Sequence, residues 1–217
     1  MTESRVSVRR AALIVCAATA IGIGVGVGLY QLDSRGSSPA TAGTLPAFHG
    51  QAVWDPGERA APAFTLRDQR GAPVSLSALR GRPVLLAFLD SQCKQECPIQ
   101  GRQLASILRR LPAAERPALV VVSVNPSGDT PAGIRRATTE WGLAGPWAWY
   151  WLNGTRRQLA VVWHFYGITV DPSSGDIVHS LVLYLIDRSG YERTAYLYPF
   201  LPGFVQGDLA RLAAKPA

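Results

Sequence analysis

Cysteine and methionine are scarce in this chain of 217 residues, which contains three cysteines and one methionine. Three cysteines are too few for a disulfide-dense scaffold, because such small domains depend on several bridges. The only methionine is Met1, which excludes a metal site built from thioether ligands. Aromatic residues are plentiful, with six Trp, seven Tyr and six Phe, and this content excludes a chain that is disordered throughout.

Acidic residues are outnumbered by basic ones, 15 to 22, which gives a formal net charge of +7. Lysine occurs only at Lys94 and Lys215, so almost all of the basic residues are arginines. They are scattered along the chain or form isolated pairs such as Arg109 and Arg110, with no basic run interleaved with aromatic residues. We therefore interpret the arginines as a solvated surface and expect no role in nucleic-acid binding.

Long apolar runs are lacking except for one near the N-terminus, which excludes a multi-span membrane protein. Residues 11–30 (AALIVCAATAIGIGVGVGLY) carry no charge, and a helix over this run would span about 30 Å, the thickness of the hydrocarbon core. Arg5, Arg9 and Arg10 precede the run. The positive-inside rule therefore predicts that residues 1–10 are cytoplasmic and that the chain beyond the run is extracytoplasmic.

This apolar run has two interpretations. A cleaved signal peptide is one. The run is longer than a usual signal core, which favours an uncleaved, single-pass anchor in the cell membrane over residues 11–30. Both interpretations place the remainder of the chain outside the cytoplasm.

The remainder divides into a tether and one domain. Residues 31–61 are rich in small and polar residues without apolar periodicity, which predicts a flexible tether. Residues 62–217 alternate strand-like and helix-like runs, which predicts an α/β fold with a central sheet flanked by helices. Strands are expected at 63–66, 82–90, 118–124, 146–152, 177–187 and 191–198, and helices at 98–111, from Thr130–Pro131 onwards, at 155–165 and at 204–214.

Two of the cysteines, Cys93 and Cys97, follow the strand predicted at 82–90 and precede the next helix. Open α/β sheets place their sites at this edge of a central strand. The helix macrodipole favours a thiolate at Cys97, and the spacing of four puts both sulfurs on one side, where they could close a disulfide or share a metal ion. A bridge across so short a loop removes little chain entropy, which favours a chemical role over an inert disulfide.

A histidine lies at the start of the late strand, at His179 in GDIVHSLVLYLIDRSG. If that strand packs beside the strand that carries the cysteines, as in a thioredoxin-like order, His179 faces the start of the helix. Two thiolates and one imidazole suit Cu(I) and accommodate Cu(II), and they would equally leave an open position on zinc. The donor set alone therefore does not fix the metal.

The motifs between residues 64 and 212 together resemble those of the Sco/SenC family of membrane-tethered, thioredoxin-like copper proteins. The matching pieces are FTLRDQRGAPVSLSALRGRPVLLAFL, C-x3-CP, VVSVNPSGDTP, WLNGTRRQLAVVWHFYGI and VHSLVLYLIDRSG. The resemblance implies a thioredoxin fold and copper, as Cu(I) or Cu(II), bound by Cys93, Cys97 and His179. It further implies a metallochaperone that matures the binuclear copper site of cytochrome c oxidase, with the subunit carrying that site, or another copper or thiol client, as its partner.

The chain departs from this family pattern at four positions. Ser91 replaces the Thr usual two residues before the first cysteine, and Lys94 replaces the Pro that often follows that cysteine. Asn125 replaces the Asp of a D-P pair, and Val178 replaces the Asp that commonly precedes the histidine. The last change removes an expected partner that would orient the imidazole.

An enzyme is the alternative function: a membrane-tethered thiol–disulfide oxidoreductase with Cys93 and Cys97 as its catalytic redox pair. Thioredoxin-type reductases normally carry C-x2-C and a proline before the late strand, whereas this chain has C-x3-C and His179–Ser180 at that place. These differences favour metal binding over turnover, although a dithiol that binds Cu(I) can also be oxidised. A peroxiredoxin-type peroxidase is excluded, because neither cysteine ends the motif P-x3-[TS]-x2-C.

Other conspicuous residues are given structural interpretations. Trp147, Trp149 and Trp151 alternate along a predicted strand, so we expect them to share one face and pack against the core or sheet. His49 lies in the predicted tether, where we expect it to be solvated. Asp129 is expected to be a turn or cap residue.

Overall fold

The computed structural model describes residues 48–172 and 177–214. These residues form ten strands, four α-helices and two short 3-10 helices, Leu76–Leu79 and Ala113–Glu115. The strands are β1 (Ala52–Val53), β2 (Thr65–Arg67), β3 (Pro73–Ser75), β4 (Val84–Leu89), β5 (Ala118–Ser123), β6 (Trp149–Leu152), β7 (Val170–Asp171), β8 (Val178–His179), β9 (Val182–Ile186) and β10 (Glu192–Leu197). The helices are α1 (Glu96–Arg110), α2 (Pro131–Glu140), α3 (Arg156–Phe165) and α4 (Pro202–Ala214).

Six of the strands form a mixed central sheet in the order β1-β10-β9-β4-β5-β6. The pairs β4–β5 and β5–β6 are parallel, whereas β9 runs antiparallel to both β4 and β10. β2 pairs with β3, and β7 pairs with β8, in two separate ladders of two strands each. β4 therefore lies inside the sheet, and the loop that follows it opens at the carboxyl edge of the parallel strands.

Strand β4 is buried on both of its faces, as its continuous apolar run predicts. Leu85, Ala87 and Leu89 contribute to a core that also includes buried side chains of α1, α2 and α4. Leu86 and Phe88 point to the other face, where the core includes side chains of α3. Helices thus cover both faces of the central sheet, and the predicted α/β architecture is confirmed.

Two of the predicted boundaries that differ from the structure lie beside the cysteines or the histidine. Helix α1 begins at Glu96 rather than at residue 98, so Cys97 lies within its first turn. The strand predicted over 177–187 is two strands, because Val178 and His179 pair with β7 while Val182 begins the central β9. His179 therefore belongs to a separate small ladder rather than to the central sheet.

The end of the predicted tether is part of the folded domain. Phe48 is 4% exposed and belongs to the core, and β1 pairs with β10 at the sheet edge. His49 is exposed, as predicted, but it also contacts the domain: its Nδ1 lies 2.7 Å from Oδ1 of the buried Asp208, and its ring stacks on Phe204 at 4.5 Å. The apolar character of Phe48 was the sequence signal for this packing.

The membrane anchor predicted over residues 11–30 lies outside the described residues, as does the first part of the tether. Among the residues that the structure describes, no helix combines the length and hydropathy needed to cross a bilayer.

Candidate functional site

The two cysteines occupy the connection from β4 to α1 and its first helical turn. Cys93 lies in the turn, where its backbone N–H donates to the Asp90 carbonyl at 3.3 Å. Cys97 is the second residue of α1 and is fully buried, while Cys93 is half-buried. Both are reduced thiols in this structure. The pair thus has one member facing outward and one within the core.

The start of α1 favours negative charge on the sulfur of Cys93 rather than on that of Cys97. The Cys97 backbone N–H donates to Cys93 Sγ at 3.4 Å, so the start of the helix stabilises negative charge on the Cys93 sulfur. The pKa of the Cys97 thiol is raised instead, first by its hydrogen bond with Cys93 and then by burial. The raised pKa disfavours the thiolate expected at Cys97, whose side chain the earlier helix start places inside the core.

His179 reaches the cysteines from the β7–β8 ladder. Its Nε2 lies 3.5 Å from Cys97 Sγ, and its Nδ1 lies 3.1 Å from the backbone carbonyl of Ser180. Because a carbonyl can only accept, Nδ1 carries the proton in this hydrogen bond, and in the neutral ring Nε2 presents its lone pair to the sulfur. The structure therefore brings His179 into contact with Cys97, with Nε2 facing the sulfur.

The Ser180 carbonyl supplies the orienting contact that Val178 cannot. Val178 is 61% exposed, so an apolar side chain stands in water at this position. Histidines that bind metals usually donate their other ring N–H to a carboxylate or a backbone carbonyl, which fixes the orientation of the ring. The backbone contact from His179 serves that purpose without an Asp at residue 178.

The separation of Cys97 and His179 is that of a hydrogen bond, and it also fits two ligands on one ion. With bonds of about 2.3 Å to sulfur and about 2.0 Å to nitrogen, two tetrahedral ligands stand about 3.5 Å apart. The observed distance is 3.5 Å. In the described part of the chain, however, no three His, Cys, Asp or Glu side chains already form a complete group around an ion position. The donors fit a soft metal, and binding would have to bring all three side chains around one ion.

Asp129 supports the loop that carries Cys93, a role that its interpretation as a turn or cap residue missed. The side chain is buried: its Oδ1 accepts from the Ser91 N–H at 2.8 Å, and its Oδ2 accepts from Trp151 Nε1 at 2.9 Å. Burial raises the pKa of Asp129, while the hydrogen bonds oppose this shift. The cap is its neighbour Thr130, whose Oγ1 accepts from the Gly133 N–H. In the sequence, the signal available for this role was a carboxylate that follows a predicted parallel strand.

A second buried carboxylate, Asp90, lies at the end of β4. The Asn125 side-chain amide donates to both of its oxygens, at 3.1 and 3.2 Å, and the Gln92 N–H donates to Oδ1 at 2.8 Å. The nearby negative charge of Asp90 contributes to raising the pKa of Cys97. Asn125, one of the four departures from the family pattern, is therefore the hydrogen-bond partner of a carboxylate beside the cysteines.

Trp149 and Trp151 lie on β6, whereas Trp147 precedes this strand, which begins three residues later than predicted. Trp151 is fully buried in the core on the α1 side, and Trp147 and Trp149 are partly buried against the same core. Trp141 of the α2 C-terminus stacks at a tilt on Trp151, with ring centroids 5.9 Å apart. This packing braces the loops on which the cysteines and Asp129 lie.

Comparison with known proteins points to a single family. The SCO1/SenC family model matches residues 55–214. A SCO1 protein homologue of Bacillus subtilis is 26% identical over 165 residues, which cover 70% of this chain and 85% of the relative. The structure of Bradyrhizobium japonicum ScoI with copper bound superposes with a TM-score of 0.58 at 26% identity, covering 70% of this chain and 99% of that one.

A third comparison shows the shared fold. The structure of BsSco, the B. subtilis Sco protein, is described as that of a member of the Sco family of cytochrome c oxidase assembly proteins with a disulfide switch. It superposes with a TM-score of 0.61 at 21% identity, covering 76% of this chain and all of that one. The mixed α/β, thioredoxin-like fold predicted for residues 62–217 is thus confirmed over the described part of the chain.

Proposed function

The chain belongs to the SCO1/SenC family, and from that premise we propose that it binds copper and acts in the assembly of cytochrome c oxidase. Two observations on relatives support this proposal: ScoI of B. japonicum holds copper, and BsSco is described as an oxidase assembly protein. The observation that carries it for this chain is the contact of His179 Nε2 with Cys97 Sγ, at 3.5 Å and one helical turn from Cys93. Cys93, Cys97 and His179 are the proposed ligands.

We further propose that the copper is cargo rather than a permanent cofactor. Cys93 is the half-exposed ligand, so a client can reach the site from its side, whereas Cys97 is buried. In this account the protein is a metallochaperone that delivers copper to the binuclear copper site of the oxidase. The apolar run at residues 11–30 would anchor it to the cell membrane, with the described domain on the extracytoplasmic side.

Copper titration of the reduced full chain tests this proposal. After anaerobic reduction, the protein should bind about one Cu(I) per chain, because two thiolates and one imidazole complete a single soft site. Replacing Cys93 or Cys97 by Ser should abolish Cu(I) binding. His179→Ala should weaken Cu(II) binding most, because the imidazole is the only ligand that is not sulfur. The proposal is wrong if the three ligand variants bind copper like the wild type.

The chain offers matched controls for each substitution. Cys16→Ser removes the third thiol, and His164→Ala removes an exposed histidine on α3. Neither change should alter the number of copper ions bound or their affinity. Loss of copper binding in either control would place the metal elsewhere on the chain.

A thiol–disulfide oxidoreductase remains the second candidate, because the cysteines are unequal in exposure. A half-exposed Cys93 beside a buried Cys97 suits attack on a client disulfide followed by closure of the internal bridge. The deciding variant is His179→Ala, since an imidazole ligand is needed for copper and not for the exchange. Strong reduction of insulin disulfides, together with copper binding that His179→Ala leaves untouched, would establish the enzyme instead.

A further inference from the structure

A basic cleft opens beside the half-exposed cysteine. The cleft, of about 420 Å³, is lined among others by Cys93 and Lys94 from the β4–α1 turn, Arg102 of α1, Arg136 and Glu140 of α2, and Trp141. We refer to it as the Cys93 cleft. It is the side from which the proposed metal site, and the reactive thiol, can be reached.

The charge balance of the Cys93 cleft is strongly positive. Lys94, Arg102 and Arg136 are exposed, and among the described residues none of them forms an ion pair. Arg136 donates to the Gln92 side chain at 3.3 Å, which holds its guanidinium over the turn before Cys93. Glu140 is the one acidic residue among those that line the cleft. The N-terminus of the fifteen-residue helix α1 adds a further positive potential at the same place.

The metal site alone does not account for this arrangement. Two thiolates and an imidazole leave a Cu(II) site neutral and a Cu(I) site with one net negative charge, so the three cations exceed the charge that either site leaves to be balanced. Cations at the rim of a site do, however, attract a partner of opposite charge and orient it during encounter. Three exposed cations around one accessible sulfur therefore indicate that the cleft recognises a negatively charged partner.

We propose that the Cys93 cleft is the docking surface for an acidic protein partner that presents its own thiol or copper ligands between carboxylates. This inference rests on the proposed function, since it names the kind of client that would receive copper or exchange thiols at Cys93. The carboxylates of the partner pair with Lys94, Arg102 and Arg136, and this pairing brings its sulfur to Cys93. The attraction is screened by salt, because all three cations are exposed to solvent.

The test measures the rate of thiol exchange, which needs no copper. Two synthetic peptides each carry one cysteine activated as a disulfide with thionitrobenzoate, one flanked by glutamates and the other by lysines. In the exchange, the Cys93 thiolate attacks the peptide sulfur, a mixed disulfide forms, and thionitrobenzoate leaves with the electron pair of the broken bond. The protein is the full chain carrying Cys16→Ser, so that the only thiols are Cys93 and Cys97.

At low ionic strength, the acidic peptide should react at least about tenfold faster than the basic one, and the ratio should fall as salt is added. The triple variant Lys94→Gln, Arg102→Gln and Arg136→Gln should bring the ratio close to one. A matched triple variant at exposed arginines elsewhere, Arg110→Gln, Arg156→Gln and Arg157→Gln, changes the net charge equally and should keep the ratio. An equal loss in both triple variants would mean that only net charge matters, and it would overturn the proposal.

Two further measurements separate the alternatives. Glutathione disulfide is a small acidic disulfide. If the three cations accelerate its reaction as much as that of the acidic peptide, the cleft is a pocket for a small thiol and not a docking surface. Hydroxyethyl disulfide is neutral and should react equally with the wild type and the cleft variant, which shows that Cys93 itself is intact. A failed copper titration of the wild type would overturn the proposed function, whereas the ratio of peptide rates tests the cleft independently of copper.

Discussion

At the scale of the residue, Asp129 is the side chain on which the loop before Cys93 depends. Asp129→Ala would leave the Ser91 N–H and Trp151 Nε1 buried without an acceptor. Each buried donor left unpaired costs about 1–3 kcal/mol, so we expect the free energy of unfolding to fall by about 2–4 kcal/mol. Urea denaturation measures this loss, and Asp129→Asn, which retains one oxygen, should lose less. A loss below about 1 kcal/mol would contradict the role given to Asp129.

The buried carboxylate of Glu192 predicts that the stability of the domain depends on pH. The Glu192 side chain is fully buried with its Oε2 2.8 Å from Arg59 Nε, and burial raises the pKa of Glu192 more than the arginine lowers it. Because the native state then binds the proton more tightly than the unfolded state, the contribution of Glu192 to stability increases as the pH falls through the native pKa.

The measurement is the free energy of unfolding of the wild type and of Glu192→Gln between neutral pH and the ordinary glutamate pKa of 4.5. The difference between wild type and variant isolates this residue from the other carboxylates that titrate in the same range. It should shift in favour of the wild type on acidification. A difference that is constant, or that shifts in favour of the variant, would show that Glu192 has no raised pKa.

The three residues proposed as ligands could be singled out from the sequence, whereas the raised pKa of Cys97 could not be predicted. Cys93, Cys97 and His179 carry chemistry that can be recognised without a structure, and the chain order of the motifs places them at one edge of the sheet. The unequal burial of the two cysteines depends on a helix start two residues earlier than predicted, which no local pattern specifies. Asp129 was missed because its partners Ser91 and Trp151 are distant in the chain.

At the scale of the element, helices α1 and α2 approach closely at a glycine. A Cβ built on Gly101 would lie 2.7 Å from Cε3 of Trp141. We expect Gly101→Ala to lower the free energy of unfolding by about 1–3 kcal/mol through overpacking. The matched control is Gly207→Ala in α4, where the new methyl meets no atom within 4 Å and should stabilise the helix by about 0.5–1 kcal/mol. Equal effects of the two substitutions in urea denaturation would contradict the close contact.

The N-terminal strand β1 contributes to the stability of the domain. A variant that lacks residues 1–61 loses β1, the buried Phe48 and the His49 contact to Asp208, whereas one that lacks residues 1–45 keeps them. Burial of the Phe48 side chain alone is worth about 2 kcal/mol. We therefore expect the shorter variant to melt at least about 4–8 °C lower in thermal denaturation. Equal melting temperatures would show that residues 48–61 add nothing to the stability of the domain, as expected of a flexible tether.

Sequence patterns predicted strands and helices correctly where a single local property determines the structure. The apolar run of β4 and the Thr130–Pro131 helix start were both confirmed, because burial on two faces and capping are local properties. The break between β8 and β9 was missed, since it depends on pairing with residues 170–171. The short strand β1 was missed because two residues show no periodicity, and its register is set by β10.

At the scale of the whole molecule, the topology assembles the site. β4 delivers the cysteines, the small β7–β8 ladder delivers His179, and β5 is followed by Asp129, so segments far apart in sequence meet at one edge. A dithiol alone would serve disulfide exchange. The histidine, held by the Ser180 carbonyl with Nε2 toward Cys97, is the residue that would distinguish the proposed metal site from a redox pair.

X-ray absorption spectroscopy of the copper-loaded full chain tests this distinction most directly, because it counts the atoms bound to the metal. The account predicts two sulfurs and one imidazole nitrogen around a single copper ion, and loss of the imidazole signal in His179→Ala but not in His164→Ala. A spectrum with fewer than two sulfurs, or one that His179→Ala leaves unchanged, would contradict the convergence of Cys93, Cys97 and His179 on one ion.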